Sequence, residues 1–178
     1  MNIKTYKLKR LLDLSMVFGG LLFPLLWPLW IVVIFIIPLL IWLEDRGPIF
    51  YRQQREGLFR EELNIYKLRT MVVNAELNGP QWAAKNDRRI TFIGNVLRKT
   101  RIDEIPQLIC VINGDMSLIG PRPERPEFDI VLKEKIPNYE LRFRIKPGLS
   151  GWAQVNYPYG ASLQDSINKL SYDLFYMK

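Results

Sequence analysis

The strongest constraint on this 178-residue chain is a run from Leu14 to Leu43 that holds no charged side chain between Asp13 and Glu44. A straight helix of that length would extend about 45 Å, against a bilayer hydrocarbon core of about 30 Å. The run is long enough to be a membrane segment and too long for one upright span. Pro24 and Pro28 lie inside it. Each lacks the N–H that a helix requires, which frees the carbonyls of Gly20 and Pro24 and predicts a break there. Lys4, Lys7, Lys9 and Arg10 precede the run, and the stretch from Asp45 to Arg101 carries 12 Lys/Arg against 6 Asp/Glu. Both flanks therefore favour the cytoplasmic side of a membrane. A broken helix that enters the inner leaflet, turns at Pro24 to Pro28 and returns to the same face meets both the length and the charge pattern. A tilted, kinked single span with its amino terminus inside meets the length. A cleaved signal peptide fits poorly, because its apolar stretch is usually shorter and no A-x-A site follows.

Residues 1–44 thus read as a re-entrant membrane helix with a basic flank, and residues 45–178 as one domain on the cytoplasmic face. The net charge of +7 and the pI near 9.6 suit anionic headgroups and phosphorylated substrates. Nucleic acid would suit the charge too, but the chain carries no recognisable nucleic-acid motif and the apolar run argues for lipid. Cys110 is the sole cysteine, so no internal disulfide forms, and Ile109 and Val111 beside it predict a core position in a reducing compartment.

Alternation predicts two short strands, Ile49 to Arg55 and Leu63 to Leu68, joined as a hairpin near Arg55-Glu56-Gly57. Asn74 to Lys85 reads as helix or irregular chain, interrupted by Gly79-Pro80. Helical spacing links Phe92, Ile93, Val96 and Leu97, and again Ile105, Leu108, Ile109 and Ile112. Gly114-Asp115 reads as a turn, and Pro126 to Lys135 as a helix. Ser162 with Asp165 forms a capping-box pattern before a helix striped by Leu163, Ile167, Leu170 and Leu174, with Asp173 off the stripe. The fold class expected is α+β: mostly helical, with a short β-hairpin.

The chain contains no histidine, so carboxylates, lysines or a hard oxygen-bound cation must carry any chemistry at neutral pH. Thr100-Arg101-Ile102-Asp103-Glu104-Ile105-Pro106-Gln107 sets two adjacent carboxylates among cations. Pro106 favours the first turn of a helix, which would make Asp103 its N-cap and, with Arg101 nearby, keep it ionised. An anionic Asp is a competent oxygen nucleophile toward phosphorus. Glu104 beside it suits Mg²⁺, or Mn²⁺, held jointly with substrate phosphates. A plain helix cap and a solvated first-turn acid fit the same spacing. In Gly120-Pro121-Arg122-Pro123, Pro121 and Pro123 stiffen the chain on either side of one guanidinium. Phosphate is the natural partner of such a fork, and a structural salt bridge is the alternative. Arg142, Arg144 and Lys146 precede Pro147-Gly148, as either a solvated edge strand or a membrane or nucleotide contact.

Several stretches together resemble the bacterial sugar transferase family, the monotopic phosphoglycosyl transferases that begin glycoconjugate assembly on polyprenol phosphate. They are Lys9-Arg10-Leu11-Leu12-Asp13, Gly47-Pro48-Ile49-Phe50, Tyr66-Lys67-Leu68-Arg69-Thr70-Met71, the Arg101 to Gln107 segment, Gly114 to Pro123, Lys146 to Trp152, and Tyr172-Asp173-Leu174-Phe175-Tyr176. They follow in order through nearly the whole chain. The resemblance implies a re-entrant helix and a two-step reaction. Asp103 would attack the sugar-bearing phosphorus of a UDP-sugar and release UMP, and polyprenol (undecaprenyl) phosphate would then take the phosphosugar. Glu104 would be the Mg²⁺ ligand and Arg122 a phosphate ligand, while Lys67 and Asp173 match positions that the family uses in its active site. Arg69, Arg98 and Arg101 are weaker candidates for neutralising phosphate. The implied location is the cytoplasmic face of the bacterial inner membrane, in contact with its lipids. A membrane-anchored lipid-binding or scaffold module is the competing class.

Larger family members carry membrane helices ahead of this domain, whereas here eight residues precede Lys9. Tyr157-Pro158-Tyr159-Gly160 resembles the exopolysaccharide-type members, so a domain excised from a larger protein, with a shortened carboxyl end, is expected. A homodimer is expected for the larger members.

Overall fold

A computed structural model describes residues 3–77, 79, 81, 87–158, 160 and 162–178. In chain order it contains helix α1 (Ile3–Leu22), a 3₁₀ turn (Pro24–Leu26), α2 (Trp27–Ile31), a π-helical turn (Val32–Ile36) and α3 (Ile37–Asp45). Strands β1 (Phe50–Glu56) and β2 (Glu62–Leu68) follow, paired with each other. Then come α4 (Phe92–Thr100), a 3₁₀ helix (Ile102–Gln107), α5 (Leu108–Asn113), β3 (Ser117–Ile119) and α6 (Pro126–Lys135). A further 3₁₀ helix (Tyr139–Arg144), β4 (Gly148–Ser150), α7 (Trp152–Asn156) and α8 (Leu163–Met177) complete it. The helix-rich α+β class, the hairpin, α4, α6 and α8 agree with the sequence reading. Half of the expected element at Asn74 to Lys85 lies outside the described residues, and residues 74–77 form a turn.

The apolar run breaks where its prolines predict. Phe23 adopts an extended conformation between α1 and the Pro24 turn. Both carbonyls deprived of a helical donor regain one: the Trp30 indole donates to Gly20 O at 3.1 Å, and the Trp27 N–H reaches Pro24 O. The π turn immediately precedes α3, which carries Pro38 in its first turn. Pro38, which the sequence reading passed over, removes a third donor, and a wider turn is a common response to such a loss. The helical run Pro24–Asp45 is long and apolar enough to cross a membrane. It exposes Leu25, Ile34, Phe35 and Leu39, an apolar surface of the kind that meets lipid.

The chain forms two compact units. One comprises Val17–Arg52 and Tyr66–Gln107. Its core gathers Val33, Ile37 and Ile41 of the apolar run with Leu68 of β2 and Leu97 of α4, flanked by Trp30, Ile49, Ile93, Ile102 and Ile105. Glu44 Oε1 accepts from the N–H of Phe92 at 2.8 Å, and Thr91 Oγ1 from Gly94 N at 2.9 Å, which satisfies two orphan donors at the start of α4.

The other unit comprises the chain up to Met16, Gln53–Ile65 and Leu108–Lys178. Its core packs Leu132, Ile136, Tyr139, Phe143 and Leu170, with Phe128 and Leu174 against them. β3 and β4 pair in parallel, with Ser117 opposite Gly148 and Ile119 opposite Ser150. A Cβ on Gly148 would run into the backbone of Gly120, so this close approach requires glycine. The basic flank of α1 is folded into this unit. Arg10 donates to Val111 O and, at 2.6 Å, to Ile112 O, capping the end of α5. Asp13 accepts from Ser117 Oγ at 2.6 Å and from Leu118 N at 3.3 Å. Cys110 is buried, as expected. The capping box at Ser162 and Asp165 starts α8.

Candidate active site

The two carboxylates sit in the first unit. α4 ends at Arg101, whose φ of 59° is left-handed, and the chain then tightens into the 3₁₀ helix Ile102–Gln107. In such a helix residues three apart share a face. Ile102 and Ile105 both pack on the apolar core formed with the membrane run, so the pair Asp103-Glu104 is fixed from both sides. This corrects the expectation of an N-cap. Asp103 lies inside the 3₁₀ helix, Pro106 does too, and α5 begins only at Leu108. The cause is tertiary: anchoring both isoleucines demands the tighter winding.

Asp103 and Glu104 are each 7% exposed. Glu104 Oε1 lies 3.3 Å from Lys67 Nζ on β2 and 4.0 Å from Arg101 Nη1. Among the described residues, Asp103 Oδ1 is buried and accepts no hydrogen bond. Burial, and then the charge of Glu104, raises the Asp103 pKa above its ordinary value, while Lys67, Arg98 and Arg101 oppose the rise. The expectation that its surroundings keep Asp103 ionised is therefore corrected: on balance they disfavour the anion, because burial and Glu104 outweigh the nearby cations. A buried carboxylate oxygen without a donor is costly, and a cation beside it would relieve that cost. Among the described residues no group of three or more acidic, histidine or cysteine side chains is placed to hold a metal ion. Mg²⁺ is usually bound through one or two carboxylates and completed by phosphate oxygens, which is compatible with the Asp103-Glu104 pair.

The flanking arginines divide. Arg98 Nε donates to Thr70 Oγ1 at 2.8 Å, and Arg101 is 66% exposed. Arg69 is engaged inside the fold. It forks onto Asp45, and its remaining donors go to the carbonyls of Pro48, Met71 and Ile41. All five N–H groups of a guanidinium are then committed, and Arg69 becomes a strut between α3 and the end of β2.

Arg122 and Asp173 belong to the second unit. Pro121 and Pro123 are buried and Arg122 between them is half-buried. Three successive carbonyls of this loop receive donors: Pro121 O from Gly148 N at 2.9 Å, Arg122 O from Arg142 Nη2 at 2.7 Å, and Pro123 O from Arg55 Nη1 at 3.1 Å. Asp173 is 3% exposed and pairs with Arg142 at 3.1 Å. It sits on the buried side of α8, not off the apolar stripe, because the buried guanidinium supplies a partner there. Burial raises its pKa and Arg142 opposes the rise. Arg142 also donates to Tyr139 Oη at 2.7 Å, and Tyr139 donates to Asp129 at 2.6 Å. Arg142 is thus neither in a strand nor solvated, which corrects the edge-strand alternative, and Arg55, which also contacts this loop, was passed over by the sequence reading. For Arg142 the signal available was its place three residues after Tyr139, a spacing that places both on one face of a helical turn.

The geometry invites comparison with known proteins. Residues 4–178 match the model of the family described as bacterial sugar transferase. The chain is 46% identical over 139 residues to the UDP-N-acetylgalactosamine-undecaprenyl-phosphate N-acetylgalactosaminephosphotransferase of Aeromonas hydrophila, covering 78% of this chain and 33% of that protein. It is 38% identical over 156 residues to the UDP-glucose:undecaprenyl-phosphate glucose-1-phosphate transferase of Xanthomonas campestris pv. campestris, covering 86% and 31% respectively. The protein of the same name from Caulobacter vibrioides is 42% identical over 147 residues, covering 83% and 53%. This chain therefore spans about a third to a half of the length of these relatives. With the family model matching almost end to end, and with the Asp103-Glu104 pair buried at the heart of the matched region, the chain belongs to the bacterial sugar transferase family.

Proposed function

We propose that this chain transfers a sugar 1-phosphate from a UDP-sugar to undecaprenyl phosphate at the cytoplasmic face of a bacterial inner membrane. The observation that carries the proposal is the buried Asp103-Glu104 pair, with an unpartnered Asp103 oxygen and Lys67 beside Glu104. The Asp103 carboxylate attacks the sugar-bearing phosphorus. The bond from that phosphorus to the bridging oxygen breaks, and UMP leaves with the electron pair. An oxygen of undecaprenyl phosphate then attacks the same phosphorus, which frees Asp103 and yields a sugar-diphosphate lipid. No proton need be taken from the nucleophile, so the lack of histidine is no obstacle. Glu104, with diphosphate oxygens, would hold Mg²⁺ or Mn²⁺, whose charge offsets the repulsion between an anionic nucleophile and an anionic donor. Lys67 balances Glu104, and Arg122 is proposed as a ligand for phosphate.

We propose further that the apolar run is re-entrant. Its break at Phe23, the Trp30 to Gly20 bond and the basic composition of both flanks support this reading. The length of Pro24–Asp45 favours a second reading, a spanning helix. Single cysteines at positions 7 and 46, introduced in a Cys110→Ser background, separate them. Re-entry leaves both shielded from an impermeant reagent outside intact cells, and labelling of one but not the other means a span.

The reaction is tested by UMP release from a panel of UDP-sugars with Mg²⁺ and undecaprenyl phosphate, in lipid nanodiscs. Lipid-dependent turnover that is lost in Asp103→Asn, together with a phosphosugar adduct mapped to Asp103, supports it. An adduct on another residue overturns the nucleophile. Unchanged turnover in folded Asp103→Asn overturns the covalent route, and lipid binding without turnover favours a scaffold.

A further inference from the structure

Pro121 and Pro123 restrict φ at their own positions but leave the peptide planes between them to be set by other contacts. Those contacts are two arginines distant in sequence. Arg142, in the 3₁₀ helix Tyr139–Arg144, donates to Arg122 O, and Arg55, on β1, donates to Pro123 O. Each guanidinium has its own carboxylate: Asp173 lies 3.1 Å from Arg142, and Glu124 lies 3.7 Å from Arg55. Both arginines have little solvent access, with side chains 9% and 12% exposed. Burying two cations to hold two carbonyls is expensive unless the position of the segment matters.

We propose that Arg142 and Arg55 are positioning residues that clamp the Pro121-Arg122-Pro123 main chain, and that Asp173 serves the reaction by holding Arg142. The proposal rests on the function above for its catalytic consequence. Asp173 is buried and engaged by Arg142, so its contribution passes through that guanidinium to the Arg122 carbonyl. The geometry also explains why arginine is required at 142. Its two terminal nitrogens serve Tyr139 Oη, Arg122 O and Asp173 together, a planar bridge that the single ammonium of lysine does not reproduce. Burial, together with repulsion from Arg122 and Arg125, pulls the Arg55 pKa down to about 10, while Glu124 counters it; at neutral pH Arg55 remains a charged donor.

Two independent measurements on the whole chain in nanodiscs test the clamp. In hydrogen exchange, Arg142→Lys, Arg55→Lys and Asp173→Asn should each speed exchange of the Gly120 and Gly148 amides, which bond to Ser150 O and Pro121 O, while α8 amides remain protected. Folded variants whose loop exchange matches wild type would overturn the clamp, whatever the reaction. In UMP-release kinetics, each should raise KM for the UDP-sugar about tenfold with kcat within about threefold. The Arg142→Lys/Asp173→Asn double variant should be no worse than the poorer single. Asp173→Asn that lowers kcat at unchanged KM, or that adds fully to Arg142→Lys, would place Asp173 in the chemistry instead. Absence of turnover in wild type with every UDP-sugar would refute the proposed function and leave the exchange measurement standing. If Arg142→Lys fails to fold, Arg55→Lys and Asp173→Asn carry both measurements.

Discussion

The Trp30 indole N–H donates to the Gly20 carbonyl at 3.1 Å, across ten positions of sequence. In an unbroken helix those residues stand about 15 Å apart along the axis, so the bond exists only because the chain bends between them. It fills the vacancy that Pro24 creates, and if the run enters a membrane as proposed, a bare carbonyl there would face hydrocarbon. Trp30→Phe should therefore destabilise the protein by about 1–3 kcal/mol, seen as a lower denaturation midpoint in nanodiscs. An unchanged midpoint would mean that another donor takes over.

Lys67 moderates the charge of the carboxylate pair. The Asp103 pKa is already raised by burial and by Glu104, and Lys67 acts against that rise. In the proposed mechanism only ionised Asp103 attacks phosphorus, so Lys67→Met should push the acid limb of the kcat/KM profile to higher pH. A profile that only drops in height, with its limb unmoved, would assign Lys67 to substrate binding alone.

Arg69 ties Asp45 at the end of α3 to the carbonyls of Pro48 and Met71. Arg69→Met leaves the partly exposed Asp45 without that partner and removes the hydrogen bonds to the carbonyls, and should cost about 1–3 kcal/mol. Turnover per folded molecule at low temperature should stay within a fewfold of wild type. A selective rise in KM for the UDP-sugar would return Arg69 to the phosphate site.

Burial lifts the Asp129 pKa to about 6, despite the hydrogen bond from Tyr139 and the charge of Arg142. The folded state thus holds this proton more tightly than the unfolded chain, whose Asp titrates near 4. The stability linked to Asp129 is fully present below about pH 4 and is lost as pH rises through about 6, by up to about 3 kcal/mol. Asp129→Asn should flatten the pH dependence of the melting midpoint between about pH 4 and 7. A slope equal to that of wild type would show that other groups dominate it.

Local features were readable in the sequence. The Ser162–Asp165 box spans four residues, Pro126 marks the start of α6, and the break in the apolar run follows from Pro24 and Pro28. Features set by distant partners were not. The 3₁₀ winding around Asp103 depends on Ile102 and Ile105 reaching an apolar cluster built partly by Val33, Ile37 and Ile41. The roles of Arg69, Arg142 and Asp173 depend on partners 20 to 31 residues away. β3 and β4 hold three residues each, too few for alternation to register. The carboxylate pair was legible because its two members are adjacent; the clamp around Arg122 was not, because Arg55, Arg122, Arg142 and Asp173 are scattered through the chain.

The commitment of three successive loop carbonyls has a chemical consequence. Pro121 and Pro123 have no N–H, and the carbonyl oxygens of residues 121–123 already accept donors from inside the fold. Each of these oxygens keeps at most one lone pair for a group outside the fold. In the proposed function the segment would meet an anion through Arg122, and its main chain would add few acceptors for reading a hydroxyl. If the chain transfers a sugar phosphate as proposed, recognition of charge and recognition of sugar stereochemistry would be separable tasks, and a descendant could exchange one hexose for another while leaving its Pro-Arg-Pro segment untouched.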